Sequence, residues 1–342
     1  MKDIRYISTQ ELETFLLHEG EKKFRSKQIW EWIWEKDSRD FDEMSNLSSS
    51  LREKLKAHFS FNSARIADEV KSTDGTVKFI FELSDKEKIE GVLIPSRQRV
   101  TACISSQVGC PLGCLFCATG SMGFIRNLHY SEIIDQFVLM NRKADEYFQN
   151  RISNIVYMGM GEPLLNYENV LSSVDILTSP NGKKMSPSRI TLSTVGIVKA
   201  IYQLADNGFK GGLAVSLHSA DENIRRTLMP VARQNSLADL QKALQYYVKK
   251  TGQRITFEYI MLHEINDSLR DAEKLALYCK AFPVKINIIE YNSANGDFRG
   301  SEKDRVMPFI QYLESKNMIV HIRKSKGKDI FAACGQLVRR YK

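Results

Sequence analysis

From Val100 onward the chain alternates short β-branched runs with longer helical stretches, and no other feature narrows its fold so far. The runs are Val100–Ile104, Ile152–Met158, Arg189–Leu192, Gly212–Leu217, Ile255–Ile260, Val284–Ile289 and Met318–Ile322. A helix that returns the chain to a parallel neighbour crosses over with one hand, so the first six runs predict successive strands of a parallel sheet. The expected fold class is α/β, a full or partial (β/α) barrel with its chemistry at the carboxyl ends of the strands. Thr178–Pro187 and Asn292–Arg305 are the most polar stretches and predict long loops.

The earlier part reads differently. Residues 1 to about 70 are charged and helical in pattern, with Ser8 or Thr9 as a helix N-cap before Gln10-Glu11-Leu12. Trp30, Ile33 and Trp34 share one helix face by spacing, which predicts core packing. The cations Lys22, Lys23, Arg25 and Lys27 could reach phosphates, although a solvated face is the commoner fate of such a run. Val77–Leu83 and Ile89–Ile94, separated by Ser84-Asp85-Lys86-Glu87-Lys88, predict a β-hairpin. The expected division is a helical accessory domain over 1–70, a hairpin extension over 71–95 and a core over 96–342.

At 342 residues, with 43% hydrophobic, the chain can bury a full-sized core. Its 49 Lys and Arg exceed 41 Asp and Glu, and the net +8 favours a polyanionic partner only weakly. The segment Met1–Arg5 is charged and has no apolar run behind it, so no signal peptide is expected. Nowhere do enough apolar residues run together to span a membrane. A reducing, cytoplasmic setting without membrane contact is the expectation.

Six cysteines are present, and three of them, Cys110, Cys114 and Cys117, follow the first predicted strand at C-x3-C-x2-C spacing. Such clustering indicates metal binding rather than a disulfide framework. Three thiolates around a [4Fe–4S] cube leave one iron open, whereas clusters used only for electron transfer carry four cysteines. Structural zinc is the alternative, but it wants four Cys or His ligands, and no second pair lies nearby. An open iron can chelate S-adenosylmethionine, and the spacing, with Phe116 before the last Cys, resembles the radical S-adenosylmethionine superfamily. In that superfamily a Gly-Gly-Glu-like motif after the second strand holds the cofactor's amino group, and Gly161 and Glu162 match it. Ser193 with Thr194 and Gly196, Ser216 with His218, and Asn292 bring polar groups to three further strand ends. Each alone could be an ordinary backbone cap. A neutral His218 could bond a ribose or carboxylate, or act as acid or base.

The chain as a whole resembles the RlmN family, radical S-adenosylmethionine enzymes that methylate adenosine C2 in 23S ribosomal RNA and in some transfer RNAs. The resemblance rests on Phe24–Trp30, Glu90–Pro95, Cys103–Cys110, Ala118–Gly120 through Arg126–Leu128, Met158–Asn166, Ser193–Gly196, Ser216-Leu217-His218 and Ala333–Leu337. It implies a partial radical-S-adenosylmethionine barrel, a [4Fe–4S] cluster on Cys110, Cys114 and Cys117, and two S-adenosylmethionine molecules per turnover. It assigns cofactor contacts to Gly161, Glu162, Ser193, Ser216, Leu217, His218 and Asn292. One cofactor molecule would methylate Cys334. The radical made from the second would activate that methyl group for addition to adenine. Cys103 would then form a disulfide with Cys334 and release the product, with Glu90 as proton acceptor. Without the resemblance, Cys103 and Cys334 read as small buried hydrophobes, and Cys279 reads so in either case.

The implied partners are 23S ribosomal RNA, transfer RNA and an electron donor such as flavodoxin, met by a monomer. The basic stretch His321–Lys342, with seven Lys or Arg against Asp329 alone, surrounds Cys334 and suits phosphate binding. The loop Ser293–Gly300 departs from the family's proline- and glycine-bearing pattern, although Asn292 before it remains. A Cfr-type enzyme acting at adenine C8 is the near alternative. A radical enzyme on a small molecule or peptide, and an RNA-binding module with a structural metal, are the more distant ones.

Overall fold

The β-branched runs beyond residue 99 all form strands. The computed structural model, which describes residues 1–292 and 298–337, joins them into one sheet. Its strands are β1 Arg65–Lys71, β2 Val77–Glu82, β3 Lys88–Ser96, β4 Arg99–Cys103, β5 Asn154–Tyr157, β6 Ile190–Thr194, β7 Gly212–Ser216, β8 Ile255–Met261, β9 Val284–Glu290 and β10 Ile319–Arg323. Their order across the sheet is their order along the chain. Every pairing from β4 to β10 is parallel. A parallel sheet wound without reversal sends each right-handed crossover helix to the same face, which leaves the opposite face and the carboxyl strand ends for a site. Among the described residues the two edge strands, β1 and β10, pair no further, so the barrel is partial and open. β10 is a parallel member beyond the six expected, registered from Lys285↔Ile319 to Ile289↔Arg323.

The predicted hairpin is β2–β3, which continues antiparallel into β4 and so into the main sheet. β1 lies within the stretch that reads as helical. It is an edge strand with charged and half-exposed residues on both faces, Arg65–Lys71, so no two-residue hydrophobic alternation marks it. Charge along an exposed edge discourages pairing with another chain. The loop expected over Asn292–Arg305 lies in part on residues 293–297, outside the described residues, and the chain is helical again from Lys303.

In the amino-terminal segment Ser8 caps helix Thr9–His18 through a reciprocal box with Glu11. Helix Phe24–Trp30 widens into a π-turn over Glu31–Glu35, and Ile33 and Trp34 are buried with Trp30 packed beside them. This segment is fastened to the core by a buried ion network. The Arg5 guanidinium is 0% exposed and bonds Asp3 at 2.8 Å and Asp135 of helix Tyr130–Phe148 at 2.8 Å. Arg39 reaches the same Asp135 at 2.8 Å.

Candidate active site

The loop after β4 carries the three clustered cysteines, and its turns are set by backbone bonds. Cys110 N–H donates to Gly123 O at 2.9 Å, and Cys117 N–H to Cys114 O at 3.1 Å. Leu115 N–H donates to Leu228 O at 3.0 Å, which pins the loop to helix Glu222–Leu228. The three thiols line one open cavity. Burial pushes the Cys110 thiol up to about 12 and raises Cys114 and Cys117 as well. Such thiols become thiolates only against a positive metal. Among the described residues no three Cys, His, Asp or Glu side chains converge on a point that could hold one ion.

The strand ends complete the floor of the cavity. Gly161 has φ 98°, and a Cβ there would stand 2.5 Å from the Gln107 side chain, so only glycine fits. Glu162 follows, buried, with Oε1 accepting from Leu164 N–H at 3.0 Å and Oε2 from Val195 N–H at 2.8 Å. Burial raises its pKa to about 7, and the bonds from Val195, Thr194 and Leu164 offset part of that rise. A carboxyl poised there can take up a partner's ammonium charge without a large penalty. Ser193 and Ser216 line the same space at the ends of β6 and β7.

His218 also lines the cavity and is held in the left-handed region at φ 57°. Its Nδ1 accepts from Ile260 N–H at 3.1 Å, which puts the proton on Nε2. Burial, aided by the charge of Arg225, lowers its pKa to about 3. The ring is therefore a neutral donor at physiological pH, and the choice left open by the sequence falls to hydrogen bonding rather than acid–base work.

Cys334 reaches the cavity from the carboxyl-terminal strap. Ala118 N–H donates to Gly335 O at 2.8 Å and Thr119 Oγ1 to Leu337 O at 2.7 Å, so the strap lies directly on the cysteine loop. Cys103, the last residue of β4, is 7% exposed just outside the lining, and burial pushes its thiol up to about 12. Cys334 adds to that rise and Arg323 opposes it. Both cysteines are free thiols. Arg323, the last residue of β10, stands among these sulfurs. Its Nη1 lies 3.4 Å from Met158 Sδ and 3.5 Å from Glu258 Oε2. Its pKa is raised, first by Cys334 and then by Glu258 and Cys103.

The structure thus brings Cys110, Cys114, Cys117, Gly161, Glu162, Ser193, Ser216, His218 and Cys334 to one cavity. Three expected residues stand behind its wall. The Leu217 side chain is core, with its N–H donating to Glu258 O at 3.1 Å. Asn292 is 6% exposed, bonded through Nδ2 to Ser325 Oγ at 2.9 Å, with Oδ1 buried and unpartnered. Glu90 is buried against Lys78 Nζ at 3.2 Å, and its backbone N–H points to Met160 Sδ at 3.3 Å. The sequence reading missed Arg323 and Glu258. A charged residue inside the apolar run Ile255–Met261 was the available signal for Glu258, and the carboxyl end of β10 the signal for Arg323. Of the basic collar, Lys324, Lys326 and Lys328 are exposed, while Arg339, Arg340 and Lys342 lie outside the described residues.

Comparison with known proteins agrees with this layout. Residues 3–60 match the ribosomal RNA large subunit methyltransferase N-terminal domain, and residues 104–276 match the radical SAM superfamily. A probable dual-specificity RNA methyltransferase RlmN of Cytophaga hutchinsonii is 50% identical over 337 residues, covering 98% of this chain and 92% of its own length. The dual-specificity RNA methyltransferase RlmN of Oleidesulfovibrio alaskensis is 45% identical, covering 98% of this chain and 96% of its own. The crystal structure of a radical SAM methyltransferase from Sphaerobacter thermophilus superposes with a TM-score of 0.92 at 38% identity, covering 98% of this chain and 99% of that one.

Proposed function

The chain belongs to the RlmN family of radical S-adenosylmethionine RNA methyltransferases, and from that premise we propose that it methylates carbon 2 of an adenosine in 23S ribosomal RNA, and in transfer RNA, through a methyl group carried on Cys334. Membership brings two cofactors, a [4Fe–4S] cluster and S-adenosylmethionine, which together supply a 5′-deoxyadenosyl radical. Cys110, Cys114 and Cys117 would hold the cluster. Glu162 and the Gly161 turn would receive the cofactor's ammonium group and Ser193 and Ser216 its remaining polar groups, with Asn292, whose Oδ1 is buried without a partner, as a further contact from behind the wall. Nε2–H of His218 would be free to donate to the cofactor, and Leu217 packs the wall behind.

Adenine C2 is electrophilic, so a methyl cation equivalent cannot be delivered there directly, whereas a nucleophilic carbon radical can add. Cysteine suits the carrier because its thiolate accepts a methyl group and its sulfur later leaves by exchange with a second thiol. Cys334 takes that first role, with two cofactor molecules used per turnover. Cys103 takes the second, forming a disulfide with Cys334, and the charge of Arg323 opposes the burial that holds the Cys103 thiol protonated. Glu90, held by Lys78 behind the cavity wall, would accept the proton from C2 only where the bound base reaches it.

One observation carries this reading: Cys334 shares its cavity with the three loop cysteines, and its strap is hydrogen-bonded to their loop. RNA is met through the exposed cations of the strap and of Lys22, Lys23 and Lys27. The target base is unstacked into the cavity. No helix among the described residues is long and apolar enough to cross a membrane. We place the enzyme in the cytoplasm as a monomer, supplied by a donor such as flavodoxin.

The test is anaerobic incubation with S-adenosylmethionine, a reductant and a 23S ribosomal RNA fragment or transfer RNA, followed by nucleoside mass spectrometry. The expected product is 2-methyladenosine. Product methylated at carbon 8 would overturn the C2 assignment, and no methylated adenosine from protein with an intact cluster would overturn the RNA reading.

A further inference from the structure

Arg225 is a fully buried cation that the reading above does not use. It sits on helix Glu222–Leu228 at 0% exposure. Its Nη2 donates to Val195 O at 2.6 Å and its Nη1 to Asn235 O at 3.3 Å, both neutral carbonyls, while Nε is buried without a partner. The carboxylates beside it in sequence are engaged elsewhere, Asp221 with Lys274 and Glu222 with Arg226 at 2.9 Å. Among the described residues no carboxylate forms an ion pair with it. A guanidinium does not lose its proton in a protein. Removing such a charge from water with no carboxylate in direct contact is strongly unfavourable, so the fold leaves this cation in want of a nearer negative group than Glu222, which acts on it only from a distance.

The direction in which that group lies is visible. The helix carrying Arg225 packs Ile224, Leu228 and Met229 onto Cys114 and Phe116 of the cysteine loop. Leu228 O accepts from Leu115 N–H at 3.0 Å. Arg225 also touches the floor through Val195, whose N–H holds Glu162 at 2.8 Å. A [4Fe–4S] core on three thiolates is net negative, and its negative charge grows by one unit when it takes up an electron. A cation fixed beside it in a medium of low dielectric therefore stabilises the reduced form more than the oxidised form.

We propose that Arg225 is the buried counter-charge of the cluster held by Cys110, Cys114 and Cys117, and that it raises the cluster's reduction potential. The electron comes from an external one-electron donor, and the cluster is the group reduced. Arg225 touches no reacting atom; it is a positioning and tuning residue. The inference rests on those three cysteines being the cluster ligands.

The test is a redox titration, followed by electron paramagnetic resonance, of full-length reconstituted wild type, Arg225→Lys and Arg225→Met. At a fixed potential the ratio of reduced to oxidised cluster in Arg225→Met is expected to fall at least tenfold, about 59 mV for a one-electron couple. Arg225→Lys, which keeps the charge, is expected to stay nearer the wild type than Arg225→Met does. An unchanged potential in cluster-loaded Arg225→Met overturns the proposal. If Arg225→Met takes up no cluster, urea unfolding of the cluster-free proteins decides. A wild-type midpoint means that the charge is needed to hold the cluster, as proposed. An unfolded variant means that Arg225 serves only the two carbonyls, and the proposal falls. Wild-type protein that binds zinc and no sulfide would instead defeat the cluster assignment itself.

Discussion

The floor of the cavity and the strap that brings Cys334 to it are held in opposite ways. The floor is made by strand ends whose polar groups are fixed by backbone of the strands and of the helix beside them: Val195 N–H, just past β6, on Glu162, Ile260 N–H of β8 on His218, and Leu228 O of helix Glu222–Leu228 under the cysteine loop. The strap, residues 324–337, depends mostly on side chains from far away in sequence. Asp329 accepts from Ser72 Oγ at 2.6 Å, Asp74 from Gly327 N–H at 3.0 Å, and Lys328 pairs with Glu290 at 2.7 Å. Gly327, Phe331 and Gly335 all lie in the left-handed region, at φ 65°, 53° and 81°. Phe331, three residues from the carrier, is 57% exposed. A rigid floor suits the generation of a radical, which tolerates no stray geometry. On the proposed mechanism Cys334 must meet cofactor, adenine and Cys103 in turn, which needs a tether that can be re-made.

That contrast can be broken at either side. The largest effect is expected from Cys114→Ser, which should lose cluster, cofactor cleavage and methylation together, with activity down by at least ~1000-fold; iron and sulfide analysis reads the first of these directly. Cys334→Ala should remove methylation as fully but leave cluster content and cofactor binding within about twofold of wild type, as expected of sites that act independently. Loss of the cluster in Cys334→Ala would mean that floor and strap are one unit.

A pH titration sharpens the floor side. Burial raises the Glu162 pKa from 4.5 to about 7, so the folded state holds this proton more tightly than the unfolded chain. The neutral acid's share of stability is complete below about pH 4.5 and is lost as pH rises through about 7. The cluster-free protein should therefore lose about 3 kcal/mol from this group between those limits, and urea unfolding of Glu162→Gln should show no such slope. Binding of a cofactor ammonium reverses the preference and favours the carboxylate. The smallest effect belongs to the tether. Asp329→Ala removes the acceptor for Ser72 and Thr73, about 1–2 kcal/mol of strap docking, and should lower methylation by about tenfold while cofactor binding stays unchanged. Limited proteolysis between Lys324 and Phe331 reports the loosening.

The floor was largely legible in the sequence. Strand periodicity located its strands, and the residues at their carboxyl ends, Gly161, Glu162, Ser193, Ser216 and His218, line the cavity where the alternation put them. Cys110, Cys114 and Cys117, singled out by spacing, line the same cavity. What stayed hidden is held by pairs remote in the chain. The Lys78–Glu90 ion pair, Arg323 among the sulfurs and the Asp74 and Asp329 anchors join segments with no local signal to link them. Arg323 in particular sat inside a basic run, where one more cation reads as phosphate-binding charge. Only the placement of β10 as the last parallel strand shows that its final residue turns inward. β1 was illegible for a related reason, since an edge strand polar on both faces has no hydrophobic period.

The most direct measurement asks where the methyl group goes before RNA is added. Reconstituted protein would be incubated with S-adenosylmethionine bearing a trideuterated methyl group, digested, and its cysteine peptides weighed. The account requires the label on the peptide carrying Cys334 and on neither Cys103 nor Cys279. Label on another cysteine, or RNA methylation by protein whose cysteines never carry label, would contradict it.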